Sequence, residues 1–510
     1  MRTLGVQFGV AILAMACLCQ QSAIAVEPRS PSERDAVEKG KRLGQVFTPN
    51  YLVVDILDTA GYAIDKPILR KHVIDNSCGN GAFLTEIVRR YCIAYLGAHK
   101  TLNKKKLSQE LEEFIHGIEI DEESYRECIC NLNMVLSEFK LSGVKWDVRN
   151  ADTLEVDAYD GRMDFVIGNP PYVRVHNLDK DFNRVKQYRF CNGGMTDLYL
   201  LFYEIGLKML APGGHLCYIT PSSWINSVAG KSMRDYLYQT GSLRAIIDLQ
   251  HFQPFSATAY TAITLLSNGD HHERFSYSVY DAPNQVRFVA DLSYTDSFFD
   301  EAIYLGDVES LRELKKIKSV DDQSVVEVKN GFATLADEVF ISDEFEFDKM
   351  LIPVIKGSTG KWRKAFYPYD QNGKPLERDA IFADEKIAKY LNDNKSALLK
   401  GKSESDCPEW YLYGRTQALK DVWVNKYAIN TVIRDVDSIK LNFVPSGSGV
   451  YSGLYIITEV SETRLREVLF SREFINYIAM LKKYKSGGYY TFSSKELRQY
   501  LNYKLTSSVK

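Results

Sequence analysis

The sequence predicts an α/β fold, a parallel sheet covered by helices, with a second domain behind it. Three observations predict this. Short apolar runs alternate with amphipathic stretches from Lys41 to about Asn268, the rhythm of strand–helix–strand units. Glycines and acids fall at the ends of those runs, where a crossover leaves a strand. After about residue 300 the alternation gives way to charged helices, short strands and aromatic clusters, and 510 residues are more than one core usually organises.

The first element is an exception. Met1 to Ala25 carries Arg2, an apolar run from Leu4 to Cys19 and the ending Ala23-Ile24-Ala25, the form of a secretory signal but too short for a membrane span. Residues 26–40 are polar with two prolines and read as a linker. Residues 1–36 are therefore set apart as an extension. His72 to Asp75, Phe114 to Ile120, Phe165 to Ile167, Gly214 to Thr220 and Thr261 to Leu266 read as strands, with helices over Ala82 to Tyr95 and Asp197 to Leu210. Thr101 to Glu113 is a polar, helix-prone insertion without an assigned function. The expected domains are 37–300 and 301–510.

Composition narrows the class. With 45% hydrophobic and 25% charged residues, the chain is globular, not disordered. The net charge of -3 conceals an asymmetry, since residues 351–510 carry +9 and residues 1–350 carry -12. The last third is thus the expected polyanion face. Nine cysteines show no C-x-x-C pair, so no metal site is expected and a reduced compartment fits best. That expectation, a cytoplasmic location, conflicts with the signal-like start.

Three junctions carry chemistry. Asp75-Asn-Ser-Cys-Gly-Asn-Gly-Ala-Phe83 follows a strand and opens a helix. Gly79 and Gly81 let that turn pass close beneath a ligand, and the helix start offers free N–H groups. Glu119 in Gly117-Ile-Glu-Ile-Asp121 ends the next strand, where nucleotide-binding folds place a carboxylate that accepts from ribose hydroxyls. Gly168-Asn-Pro-Pro-Tyr-Val-Arg174 leaves the third junction. Two prolines forbid helix and make this loop stiff and extended, displaying Asn169 and Tyr172. An exocyclic amine on a base is a weak nucleophile because its lone pair is delocalised. A site that methylates it should accept both amine protons, and Asn169 Oδ1 with the Pro170 carbonyl can do so. Tyr172 would cover one face of a base flipped out of the duplex.

The order Gly44-Gln-Val-Phe-Thr-Pro49, DNSCGNGAF, GIEID, Ala151-Asp-Thr-Leu154, GNPPY and Ala211-Pro-Gly-Gly214 resembles the gamma-arrangement N6-adenine DNA methyltransferases, the TaqI-like group of type II restriction-modification methylases. The resemblance covers roughly Lys41 to Leu266. It implies a Rossmann-like S-adenosylmethionine-dependent methyltransferase domain followed by a mixed α/β target recognition domain. It also implies double-stranded DNA as substrate, no membrane partner, and a separate cognate restriction endonuclease as a candidate companion. By the same resemblance Thr48 and Pro49 lie beside the methionine part of the cofactor, Asp75, Gly79 and Gly81 beneath it, Glu119 on its ribose and Asp152 near its adenine. Phe255 would face Tyr172 across the target base, with Phe252 as the competing assignment.

The chain departs from the family at Asn76, where a proline often follows the acid. In the last domain Arg415, Lys482, Lys483 and Lys485, with the glycine loops Gly447-Ser-Gly449 and Ser486-Gly-Gly488, suit phosphates and base edges. Asp321 or Asp322 with Glu327-Val-Lys329 only weakly imitates a nuclease motif. Two other readings stay open: a protein glutamine-amide methyltransferase, which needs the same loop chemistry, and a catalytically silent DNA-binding or exported protein.

Overall fold

Each helix beside the site forms because one stripe of it is apolar. The structure is a computed structural model that describes residues 47–99, 101–175, 182–193, 196–255, 259–269, 271–320 and 325–506. The signal-like start, the linker, Gly44 to Val46 and both Asp321 and Asp322 lie outside these residues. Helix α1, Asn50–Ala60, buries Leu52, Val53, Ile56, Leu57 and Ala60 and stops at Gly61 with φ +85°, spacing and cap that suit an amphipathic helix. Strand β1, Val73–Asp75, is buried throughout and leads into α2, Ala82–Ala98. The polar insertion is itself a helix, α3 (Lys104–Phe114), which buries Leu107, Leu111 and Phe114.

Then follow β2 (Ile115–Glu119), α4 (Glu122–Glu138), β3 (Asp147–Asn150), β4 (Met163–Gly168), α5 (Leu198–Met209), β5 (Leu210–Pro221), α6 (Lys231–Thr240), β6 (Leu243–Asp248), β7 (Thr261–Ser267), β8 (Arg274–Ala282) and β9 (Gln285–Ser293). They form one nine-stranded sheet in the order β3-β2-β1-β4-β5-β7-β6-β8-β9. Strands β1 to β5 pair in parallel, as the alternation predicts. Strand β7 does not: it runs antiparallel to β5 and to β6. The physical reason lies in the connection Leu249 to Tyr260, whose described residues contain no helix. A parallel return needs a crossover, usually helical, whereas a direct connection turns the chain back. The reversal leaves that connection at the carboxyl end of β6, on the rim where β1, β2 and β4 also end, the usual ligand side of an open α/β sheet.

Beyond Ser293 the strands are short. Glu327–Asn330, Leu454–Ile457, Lys426–Ile429 and Leu441–Val444 make one four-stranded sheet, and Ile341–Ser342, Lys361–Phe366, Leu351–Lys356 and Gly449–Tyr451 make another. A three-stranded sheet joins Val432–Ile433, Tyr489–Thr491 and Tyr484–Lys485. Glu327 to Lys329 is thus plain strand. One buried apolar cluster runs from Leu216 and Ile246 of the large sheet through Ile303 and Leu314 to Ile429, Ile456 and Leu497, and Phe47 onward forms one compact unit. Among the described residues no helix is long and apolar enough to cross a membrane, and no cluster of His, Cys, Asp and Glu could hold a metal.

Candidate active site

The turn after β1 is shaped by two glycines with different tasks. Gly79 has φ +54° and Gly81 φ +87°, conformations that cost a side chain dearly. A Cβ on Gly81 would meet Cys128 Sγ of α4 at 2.7 Å, so this glycine lets the two helices approach. A Cβ on Gly79 would meet nothing within 4 Å, which leaves room above the turn for a ligand. Gly81→Ala is expected to lower stability by about 1–3 kcal/mol, read as a drop in the thermal midpoint. Adding Cys128→Ala should recover the steric part, and a single variant that melts with the wild type would contradict this packing.

Around the turn the acids are ordered by backbone donors. Gly79 N donates to Glu119 Oε2 at 2.8 Å and Asp121 N to Glu119 Oε1 at 2.9 Å. A carboxylate offers about four lone-pair sites, so these two bonds orient Glu119 without exhausting it. Asp75 is buried and accepts from Ser77 N at 3.1 Å. Burial pushes its carboxyl up to about 8, with the Glu119 charge adding to the effect, so in this state it holds its proton near neutrality. Asn76 is not a missing proline but a buried junction: its Oδ1 accepts from Tyr218 at 2.8 Å and its carbonyl from Thr153 Oγ1 at 2.6 Å. Asp152 caps the turn Thr153–Glu155 through Leu154 N at 2.9 Å and also accepts from Arg184 Nη1 at 3.2 Å.

The loop after β4 stands beside this turn. A Cβ on Gly168 would come 2.5 Å from Asp75 Oδ1, so only glycine lets β1 and β4 end this close. Asn169 Nδ2 donates to Thr48 Oγ1 at 3.1 Å, which links the expected catalytic asparagine to the segment Thr48-Pro49 that starts α1. With the NH₂ end engaged there, Oδ1 is the acceptor end. Tyr172 donates to the Ile219 carbonyl at 3.2 Å, and its ring stands edge-to-face with Phe255, centroids 6.4 Å apart at 81°. Phe252 instead packs on Tyr51 and Tyr280, away from Tyr172. The structure therefore places Thr48, Asn169, Tyr172 and Phe255 at one rim, beside Asp75, Gly79 and Glu119.

The Eco57I restriction-modification methylase family matches residues 71–255. Residues 71–255 form an Eco57I-type methylase domain. Type II methyltransferase M.BstVI of Geobacillus stearothermophilus is 26% identical over 353 residues, 61% of this chain and 63% of that protein. M.XhoI of Xanthomonas vasicola is 31% identical over 236 residues, 44% and 42% respectively, and the restriction enzyme and methyltransferase RM.Eco57I of Escherichia coli is 24% identical across 81% of this chain and 52% of its own. The chain thus spans between about two-fifths and two-thirds of these relatives' lengths. The Type IIL restriction-modification enzyme MmeI, solved in complex with DNA, shares the fold over 91% of this chain and 65% of its own, with a TM-score of 0.58 at 13% identity.

The cofactor of the methylase domain is S-adenosylmethionine, and the site fits it: an open space above Gly79, a buried acid at Asp75 that a cationic ligand would ionise, and a carboxylate at Glu119 for hydroxyls. When bound, it supplies an electrophilic methyl on a sulfonium sulfur. Sequence reasoning missed Arg184 and Asp248, and saw Asn76 only as a departure from the family; their side chains act through partners far away in the chain. It placed Lys482 and Lys483 in basic loops suited to phosphates and base edges without assigning either a contact. The structure gives them other work, Lys482 beside Asp248 at 3.5 Å and Lys483 on Glu496 at 2.7 Å, whereas Arg415 and Lys485 are exposed.

Proposed function

We propose that this chain transfers a methyl group to the N6 amine of an adenine flipped out of double-stranded DNA at a specific sequence, as the modification activity of a restriction-modification system. The observation that carries this reading is the Asn169–Thr48 hydrogen bond at 3.1 Å, which engages the donor end of the amide and so makes Oδ1 its acceptor end. Asn169 Oδ1 and the Pro170 carbonyl accept the two amine protons and raise electron density on the nitrogen. Tyr172 covers one face of the base and Phe255 contacts it from the opposite side. Thr48, Pro49, Asp75, Gly79, Gly81, Glu119 and Asp152 hold the cofactor, and the region after residue 300 is the DNA-recognition domain. The names of the relatives support DNA over a protein amide as substrate.

The test is modified-base sequencing of DNA from a methylation-free host expressing the chain. N6-methyladenine at one short motif is the expected result. N4-methylcytosine at a motif would transfer the same loop chemistry to the other exocyclic amine, and unmodified DNA from a host making folded, cofactor-binding protein would overturn the DNA reading. Phe255→Ala is expected to slow turnover about tenfold with cofactor affinity unchanged, measured by single-turnover methylation beside cofactor titration. Unchanged turnover would remove Phe255 from the base pocket.

A further inference from the structure

Asp248 is a buried acid that neither the cofactor turn nor the catalytic loop uses. It ends β6 at 2% exposure, where a lone carboxylate would be costly. Its two oxygens face different parts of the chain. Oδ1 accepts from Gln250 N at 2.9 Å, in the first turn of the connection that leads to Phe255. Gln250 sits there at φ +49°, a conformation that a residue of this type rarely holds without help. Oδ2 accepts from the Tyr484 hydroxyl at 2.7 Å and stands 3.5 Å from Lys482 Nζ.

The two partners belong to the C-terminal hairpin segment, Leu481 to Thr491, in which Tyr484–Lys485 pairs with Tyr489–Thr491. Lys482 is itself fixed by the Tyr277 hydroxyl on β8 at 2.9 Å, and the Leu481 carbonyl accepts from Asn226 Nδ2 at 3.2 Å. The hairpin is thus docked on the rim of the large sheet at two points. His251, next after Gln250, packs between the rings of Tyr484 and Tyr490 at 5.0 and 5.1 Å. Both of its ring nitrogens are buried without a hydrogen-bond partner among the described residues. Ring packing of that kind fills space but sets register weakly. Backbone bonds also hold this end of the connection, Leu249 N on the Thr261 carbonyl at 3.1 Å and Phe252 N on the Leu249 carbonyl at 2.8 Å; the link to it from Lys482 and Tyr484 runs through Asp248.

Four residues beyond His251, Phe255 stands edge-on to Tyr172. With the two rings 81° apart, a base stacked on Tyr172 would meet Phe255 edge to face, a contact that depends on ring position and angle. Where the Phe255 ring stands relative to Tyr172 therefore matters to the reaction, and the start of its connection is pinned by residues of the last domain.

On the strength of the methyltransferase reading above, we propose that Lys482 and Tyr484 are positioning residues that act through Asp248 to set the stance of the Phe255 connection for base capture. The C-terminal hairpin is then part of the apparatus that captures the base as well as part of the fold. Removing the Tyr484 hydroxyl leaves Lys482 to neutralise Asp248, so Tyr484→Phe is the milder probe. Lys482→Met removes the cation, and Lys482→Arg restores it.

The experiment is single-turnover methylation by the full chain on a duplex carrying the motif found by sequencing. The same duplex with the target adenine opposite an abasic site, where unpairing is already done, serves as the comparison, and cofactor affinity and thermal midpoint are measured alongside. Tyr484→Phe should slow the matched duplex about tenfold, Lys482→Met more and Lys482→Arg less. The abasic duplex should recover most of the loss, and cofactor affinity and the Tyr484→Phe midpoint should stay at wild-type values. Wild-type rates in both Tyr484→Phe and Lys482→Met overturn the inference, as does an equal loss on both duplexes, which marks a purely structural tie. A wild-type chain that methylates no DNA overturns the methyltransferase reading and this inference with it; an active wild type with indifferent variants overturns the inference alone.

Discussion

Asn169→Ala is expected to lower methylation on the order of 10²–10³-fold while cofactor affinity stays close to wild type. The size of the effect follows from what the side chain does. An amine whose lone pair is shared with the ring becomes nucleophilic only as its protons are drawn toward acceptors, and alanine removes one of the two acceptors from the site. The amide is held by the bond from Nδ2 to Thr48 Oγ1 at 3.1 Å, so Thr48→Val should reproduce part of the loss by letting the amide turn its donor end to the rim. Measured as kcat on a motif-bearing duplex beside cofactor titration, Asn169→Ala separates acceptance of the amine from cofactor binding, whereas Thr48→Val, at a cofactor-side residue, should change both. Near-normal methylation by Asn169→Ala would take Asn169 out of the reaction.

That bond joins residues 121 positions apart, and its distance along the chain shows where sequence reading reached and where it stopped. The glycine turn and Glu119 could be read as neighbours because β1 and β2 are adjacent parallel strands and the acid falls at the strand end. The 40-residue gap between Gly79 and Glu119 is filled in part by the insertion that folds as α3. Asn169 and Tyr172 were legible for a different reason: two prolines leave the loop little conformational choice.

What could not be read were contacts set by tertiary docking. Asp248 looks like any acid closing a strand, and Tyr484, 236 positions later, like one of several loop tyrosines. Lys482 in a basic run suggested phosphate, yet its side chain is only 13% exposed beside Asp248. A charge pattern records how many cations a segment carries, not which are spent on buried acids. The direction of β7 was likewise hidden, since an apolar run is the same read either way, and only the absence of a helix in the preceding connection hinted at the reversal.

Cofactor affinity is expected to climb about tenfold per pH unit between pH 6 and 8 and to level off above, the slope of a single proton released on binding. The group responsible is Asp75, whose carboxyl burial pushes up to about 8. S-adenosylmethionine carries positive charge, and a cation seated against Asp75 favours the ionised form, so binding below pH 8 must first displace the proton. The same shift acts on the unliganded fold with a defined sign. Between the ordinary carboxyl range near 4 and about 8 the folded chain holds a proton that the unfolded chain has lost, so the Asp75 contribution to stability is largest at the acid end, falls as pH rises through this window and is constant above it. Cofactor should therefore raise the thermal midpoint more at pH 8 than at pH 6. Asp75→Asn keeps the shape and cannot ionise, so its affinity should be lower and flat across the range. Calorimetric titration in two buffers of different ionisation enthalpy counts the proton directly. A wild-type affinity that is flat from pH 6 to 8, with no buffer-dependent heat, would place the cofactor's charge away from Asp75 and leave Glu119 and the Gly79 turn as its anchors.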